Sequence, residues 1–383
     1  MRSPDLALVQ TTASRLASPA VGPVSLGDTT REEWNEAVSR LGGAVYHRHE
    51  WLAVLESVDL VEVEASHLVV RRAGRITGLA PMYRTIRCPK FAMFQRHYLT
   101  AAGLDTAQFV VGHSMYGQSS QILAETAEDR LALLRRTEES RGPAQVTAFP
   151  LVPADDPLFR QLVAEGYDTG LLACTNFLDV EWPDFDGYLA SRPSAKRRNI
   201  RRGIEDSERL GLRCETGVRD VPEIAQMVLR TARHHQSPVF FDRQYLERIF
   251  DELAGLIETF RLTVAGRTVL TCVALADGTE LLPWCIGFEY ESLGQYGHYN
   301  YLYAELIRYA AERRYRRINL GRGTYYIKRK YGYNQRPVYA AMRTEGPLRA
   351  PVASWLRDID LRARDELAEH GLTPPLPDRE DAG

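Results

Sequence analysis

The hydrophobic pattern changes period twice between Leu281 and Asn334. Leu281–Tyr290 is an apolar run of strand length, and Gly294 and Gly297 punctuate the residues after it. Leu302, Leu306, Ile307 and Ala310 then recur on one face, which predicts a helix from a cap at Asn300 to about Tyr315. Arg317–Leu320 reads as a second strand, Gly321 and Gly323 break it, and Tyr325–Tyr331 reads as a short helix. Strand, glycine loop, helix and strand make one crossover unit. The helix N-terminus then lies at the end of a parallel strand, where unpaired N–H groups can hold a phosphate or an oxyanion.

The rest of the chain carries the same two periods. After a loose leader to about Gly22, Thr30 caps the helix REEWNEAVSRLG, and His49 leads into WLAVLESV. SHLVVRR and RITGLAPMYRTI read as strands around an Ala73–Gly74 turn. The helix QILAETAEDRLALLRRTEES, the strand AQVTAFPLV and the short helix DPLFRQLVAEGY complete the first half. The second half repeats the order: strand TNFLDVEW, one or two helices in FDGYLASRPSAKRRNIRRGIEDSERLG, and strand LRCETGV. Helices VPEIAQMVLRTARHH and DRQYLERIFDELAG follow, then strands FRLTVAG, RTVLTCVALADG and LLPWCIGFEY, the crossover, and a closing strand PVYAAMRTE. The pattern predicts a duplicated α+β unit with a mixed sheet. The expected division is a flexible leader over 1–23, domains over 24–170 and 171–346, and a charged helix with a disordered tail over 347–383.

Composition narrows the class. The 383 residues suffice for two domains, and 44% hydrophobic with 26% charged residues is ordinary for a soluble globular chain. A net charge of −2 carries no global nucleic-acid signature, so no DNA partner is expected. No apolar run reaches membrane-spanning length and the N-terminus has no secretory pattern. Cys88, Cys174, Cys214, Cys272 and Cys285 are scattered without metal-ligand spacing, which predicts reduced, packed thiols, a cytoplasmic protein and no metal. Trp51, Trp182 and Trp284 are expected in the core.

Among the 48 basic residues only Lys90, Lys196, Lys328 and Lys330 are lysines. An ammonium is a compact point charge, whereas guanidinium is a planar fork, so a lysine in this background marks a place where the fork would not serve. Three of the four fall in YLASRPSAKRRNIRR and YYIKRKYG.

Those two stretches, with GHYNYLYAELIRYAAERRYRRINLGRG, carry a family likeness. The second half resembles the GNAT acetyltransferases in its order of elements, and the duplication resembles the FemABX-like aminoacyltransferases and the BioF2-like GNAT proteins. YYIKRKYG looks like the family's Lys-x-x-aromatic-Gly segment, with Lys328 in the lysine position. The resemblance implies two tandem GNAT-like domains, each a mixed, mostly antiparallel sheet flanked by helices. It also implies an acyltransferase: an acyl group passes by direct attack from an activated thioester to an amine of a small molecule or cell-envelope precursor. The donor would be acyl-CoA or an acyl group on the phosphopantetheine of an acyl or peptidyl carrier protein. Either is a co-substrate rather than a tightly bound cofactor, and both suit specialised metabolism. The alternative donor is a charged tRNA, giving a FemX-like aminoacyltransferase. A further alternative is an inactive GNAT-like binding module. LGQYGHYN matches the family's pyrophosphate loop only loosely, and the coiled-coil insertion of some Fem proteins has no counterpart. The first half lacks a comparable glycine loop, which assigns it the acceptor side.

Such chemistry must orient two partners, take a proton from the amine and stabilise an oxyanion. Lys328 is the candidate oxyanion or phosphate contact. His298, which titrates near neutrality, is a candidate for the amine proton. Tyr325 and Tyr326 stand where GNAT enzymes often carry a tyrosine acid for the leaving thiolate. Gly294, Gly297, Tyr299, Asn300, Arg322 and Lys330 are candidate donor contacts around the loop. Lys196 and Arg197, with Arg198, Arg201 and Arg202, form a cationic run that suits a polyanionic carrier, a solvated helix face being the other reading. His234, His235 and Asp242 are acceptor-side candidates, and Glu289 a further base.

Overall fold

The computed structural model describes residues 20–57, 63–86, 88, 91, 99–100, 102–142, 144–235, 243–292 and 297–373. The first half opens with β1 (Ala20–Val24), an edge strand on β3, so the leader becomes ordered earlier than its small, polar residues suggest. α1 (Arg31–Arg40) starts where the Thr30 hydroxyl accepts the Glu33 N–H, and it buries Trp34, Ala37 and Val38. α2 (His49–Ser57) buries Trp51, Leu52, Val54 and Leu55. Then come β2 (Val63–Ala65), β3 (His67–Arg72) and β4 (Arg75–Ala80). The single strand expected over RITGLAPMYRTI is two: Pro81 lacks an N–H for the ladder, so β4 stops at Ala80 and β5 (Tyr83–Thr85) joins a different sheet. β6 (Phe109–Val111) and β7 (Leu123–Ala124) precede α3 (Ala127–Glu139), whose start is set by the Thr126 cap rather than by Gln121. β8 (Val146–Pro153) and α4 (Pro157–Ala164) close this half.

β9 (Asp168–Asp179) is longer than TNFLDVEW predicts. α5 (Phe185–Ser191) and α6 (Ser194–Arg209) are separate helices because Pro193 interrupts them. β10 (Leu212–Thr216) leads to α7 (Val221–His234) and α8 (Arg243–Glu252). The meander β11 (Ile257–Val264), β12 (Arg267–Ala276) and β13 (Glu280–Phe288) follows. The crossover helix α9 (His298–Glu312), β14 (Arg317–Arg322), α10 (Tyr325–Lys330), β15 (Asn334–Thr344) and α11 (Arg349–Glu369) end the described chain.

Among the described residues the strands form a four-stranded sheet, β1-β3-β4-β7, and an eleven-stranded one, β10-β11-β12-β13-β14-β9-β15-β8-β6-β5-β2. Two parallel pairs stand in it, β6 with β8 and β13 with β14, each bridged by one crossover helix, α3 or α9. The duplication read from the sequence is therefore present in the topology. What the pattern did not reveal is an exchange at the centre. β9 follows the first crossover unit yet pairs with β14 of the second, while β15 follows the second yet pairs with β8 of the first. β9 and β15 also pair with each other along most of their length.

One apolar core joins the halves, with Trp34, Trp51 and Leu52 sharing it with Ile224, Tyr245 and Leu282. The opposite face of the second half packs α5, α6 and α9, burying Tyr188, Ile200 and Leu302. All five cysteines are free thiols, four of them buried. Trp51 is fully buried, and Trp182 and Trp284 pack against the cores partly exposed.

The α7–β13 contact depends on one glycine. A Cβ on Gly287 would lie 2.5 Å from the Met227 carbonyl carbon and 2.7 Å from the Val228 nitrogen, backbone atoms that cannot rotate away. Gly287→Ala is expected to cost about 1–3 kcal/mol, read as a lower midpoint in urea denaturation. An unchanged midpoint would mean that α7 retreats freely.

Candidate functional site

The chemistry-bearing residues gather around a break in the large sheet. β13 and β14 pair only at Glu280–Arg317 and Leu281–Ile318, and no further pair joins them among the described residues. β13 keeps its ladder to β12 and β14 its ladder to β9, so only their facing edges part. Backbone groups along those edges are left to take partners from outside the sheet. Beyond the open end, α9 begins at His298, and Gly297 is its cap with φ 67°, a left-handed backbone that glycine adopts without strain. A Cβ at Gly297 would also stand 3.0 Å from Ser207 Oγ on α6. The cap expected at Asn300 is corrected: the Asn300 Oδ1 accepts instead from Lys330 Nζ at 2.8 Å.

Lys328 closes the other side of the break. It is 2% exposed, and its Nζ donates to the carbonyls of Leu320 at 3.0 Å, Gly321 at 3.4 Å and Arg322 at 2.9 Å. Those three bonds use the whole donor capacity of an ammonium. The side chain therefore shapes the end of β14 and does not reach toward a ligand in this conformation. Burial, with Arg322 beside it, pushes its pKa down to about 7.

The two tyrosines of α10 part company. Tyr325 is buried, and its hydroxyl donates to Cys174 O and accepts from Cys174 N, which ties α10 to β9 and leaves no proton for a leaving group. Tyr326 is 78% exposed. His298 is buried in the first turn of α9, and burial lowers its pKa. Tyr299 packs on Phe288 and Tyr303, and burial pushes it up to about 12. Lys330 is partly buried over the Tyr331 ring, its pKa lowered by burial and by Lys196. Lys196 is exposed and Arg197 partly so on α6, whose Gly203 and Ser207 lie against Asn300 and Gly297. Lys196, Lys330, Asn300 and Gly297 are thus brought to one corner. Arg322 still reaches solvent, although the atoms around its guanidinium desolvate it and lower its pKa.

His234 and His235 end α7 beside Tyr290, just past β13. The His234 ring stacks on Tyr290 at 3.7 Å, and the Tyr290 hydroxyl lies 3.1 Å from His235 Nε2. Glu289 is buried near Arg267 at 3.4 Å. Gly294 and Asp242 lie outside the described residues.

Sequence reasoning missed the contribution of the first half. The residues Gly112–Gly117 and Ser120 form a buried loop, unusual for a connection because its backbone must find internal partners. Gln118 Oε1 lies 2.8 Å from the place a Cβ would take on Gly321, so the loop meets the end of β14 directly. Ser120 Oγ accepts the Leu151 N–H at 3.0 Å and lies 3.0 Å from His113 Nδ1, within hydrogen-bond reach of the ring. Burial, then His47 and Arg322, push His113 down to about 3, and burial pushes His47 to about 4. Both rings are neutral at physiological pH. The available signal was GHSMYGQSS, where two glycines bracket a histidine and a serine within an apolar stretch.

Comparison with known proteins fits this geometry. Residues 194–329 match the family model described as acetyltransferase (GNAT) domain. No curated protein matches the chain by sequence. Among solved structures, FemX superposes with a TM-score of 0.59 at 13% identity, covering 82% of this chain and 96% of its own. The C-terminal domain of a putative lysylphosphatidylglycerol synthetase from Agrobacterium fabrum gives 0.54 at 15% identity, covering 90% and 98%. A tandem GNAT protein from the clavulanic acid biosynthesis pathway gives 0.51 at 14% identity, covering 86% and 99%. The chain has a FemABX-like double-GNAT fold. With a GNAT acyltransferase domain in its second half, it is a transferase enzyme. No helix among the described residues is long and apolar enough to cross a membrane.

Lys328 gives this site a pH signature. The unfolded chain keeps the ammonium charged to about pH 10.4, whereas the folded protein releases the proton near 7. Between those values the unfolded state binds more protons, so the contribution of Lys328 to stability rises with pH, and below the window it is constant. The stability difference between wild type and Lys328→Met is expected to move toward wild type by up to about 1.4 kcal/mol per pH unit. Denaturation from about pH 6 to about pH 9 reads this directly. A difference independent of pH would assign Lys328 an ordinary ammonium.

Proposed function

We propose that the protein transfers an acyl group from a phosphate-bearing activated donor to an amine. The donor is held by the second half, residues 171–346, and the amine enters from the side built by residues 24–170. The observation that supports this best is the parting of β13 and β14 after two residue pairs, with α9 opening at the far end. A donor chain laid in that opening can complete the two unpaired strand edges. Its phosphates then meet the first-turn N–H groups of α9 and the ammonium groups of Lys196 and Lys330.

The amine nitrogen attacks the carbonyl carbon, the C–N bond forms, the C–S or C–O bond to the leaving group breaks, and the proton lost by the nitrogen ends on the departing sulfur or oxygen, releasing a free thiol or hydroxyl. Main-chain N–H groups on the open strand edges are the oxyanion donors in this reading. Lys328 acts one step removed, by fixing the carbonyls of Leu320, Gly321 and Arg322. A thioester, on CoA or on the phosphopantetheine of a carrier protein, is the first reading of the donor. The second is an aminoacyl-tRNA, favoured by the exposed face of α6, where Arg198, Arg201, Arg202 and Arg209 border an open groove.

Acyl-CoA, acyl-carrier protein and charged tRNA, each incubated with the enzyme and a pool of amines, separate these readings by which donor is consumed. Failure of all three sinks the transfer reading. Lys196→Glu combined with Lys330→Gln is expected to weaken donor binding most at low salt. The salt slope should fall by about one for each phosphate that is no longer neutralised. Titration of donor affinity against salt checks this, and an unchanged slope would remove both lysines from the donor site.

A further inference from the structure

A second site lies where the facing strands begin to part, on the side turned toward the first half. A partly open cavity of about 400 Å³ lies there between residues 38–48 and the sheet, large enough for a small metabolite. Arg48, Arg317 and Arg336 reach it from three separate elements, with Asn319, Asp277 and Glu280.

Each guanidinium is anchored by a carboxylate that does not line the cavity. Arg48 Nε donates to Glu50 at 2.8 Å, Arg336 Nε to Asp155 at 2.5 Å, and Arg317 to Asp179 through Nε at 2.7 Å, with its terminal nitrogen at 2.6 Å. A guanidinium carries five N–H donors, and one carboxylate engages at most two of them face to face. The anchored forks retain donors for a further anion. The two acids differ. Asp277 Oδ1 accepts from the Thr279 N–H, the Thr279 hydroxyl and the Glu280 N–H, so it builds the turn before β13. The Glu280 carboxylate is partly buried with its nearest ion-pair partner, Arg317, at 3.9 Å. It is the anion of the cavity that a cation can approach, and desolvation, then Asp277, already raise its pKa.

We propose that this cavity binds a small zwitterion, a molecule carrying both an ammonium and a carboxylate. The Glu280 carboxylate receives the amine, and the Arg48 and Arg336 guanidiniums receive the carboxylate. The proposal rests on the transfer reading only in making this amine the acyl acceptor; the binding chemistry stands apart from it. Glu280 and Arg317 are the first paired residues of β13 and β14. An amine held at Glu280 therefore waits at the vertex of the opening in which the donor would lie.

The test is calorimetric binding of the standard L-amino acids to the full chain, each compared with its methyl ester and its N-acetyl derivative. At least one amino acid is expected to bind, and both blocked forms to bind about tenfold or more weakly, the effect of removing one charge-assisted hydrogen bond. Glu280→Gln should weaken the zwitterion by a similar factor and leave its N-acetyl derivative and CoA unaffected. Arg336→Met should weaken the zwitterion and leave its methyl ester unaffected, which separates removal of one guanidinium from collapse of the cavity. Blocked forms that bind as well as the free amino acid overturn the proposal, as does the absence of binding by any zwitterion. If donor is consumed with an amine that has no carboxylate while no zwitterion binds, this proposal falls and the transfer reading stands. If a zwitterion binds and no donor is consumed, the cavity assignment stands and the transfer reading falls.

Discussion

A buried ammonium holding three consecutive carbonyls is the interaction on which the site depends. Lys328 draws the oxygens of Leu320, Gly321 and Arg322 to one point, while Asn176 donates to the Gly321 oxygen at 2.8 Å. β14 keeps its ladder to β9 as far as Arg322, while its β13 edge is unpaired after Ile318 among the described residues. An arginine is a poor replacement for this lysine, since a planar fork does not converge its donors on three neighbouring carbonyls as an ammonium does.

The opening also explains why the first half carries a buried loop. Gly112–Ser120 runs through the interior to bring Gln118 against Gly321 and His113 near Arg322. A loop of this kind is stable only when its own polar groups close on one another, as Ser120, Leu151 and His113 do. Its neutral His113 places polarity at the junction without adding charge beside Arg322. The cationic corner is built on α6, α10 and the start of α9, whereas the mixed-charge cavity opens at the first pair of β13 and β14 toward residues 38–48.

Much of this was legible in the chain because it is local. The crossover helix, the Gly297 break before it and the Thr30 cap each follow from spacing or from one residue's backbone preference, whereas the pattern left open whether one or two helices flank Pro193. The scarcity of lysine drew attention to Lys328, which the structure turns onto the carbonyls of Leu320, Gly321 and Arg322, because the pattern of YYIKRK does not say which of its side chains are buried. Tyr325 and Tyr326 show the same limit: adjacent and identical in type, they end at opposite extremes of exposure. Asn300 looked like a cap because asparagine favours that position. Gly297 took it by accepting a left-handed backbone, and the Asn300 amide went to Lys330. The cavity residues were invisible, since Arg48, Glu280 and Arg336 are far apart in sequence and meet only through the order of the strands.

That order has a consequence for how the molecule is made. The strand that completes the N-terminal lobe is β15, among the last elements to leave the ribosome. Until then β8 offers a bare edge of eight buried-type residues, a template for mispairing with another chain. Gene truncation near residue 170 would leave β8 without β15, whereas the C-terminal piece would keep β14, β9 and β15 as neighbours. The two halves, copies in pattern, share one core and one sheet, and the first of them is finished only by the last strand of the chain.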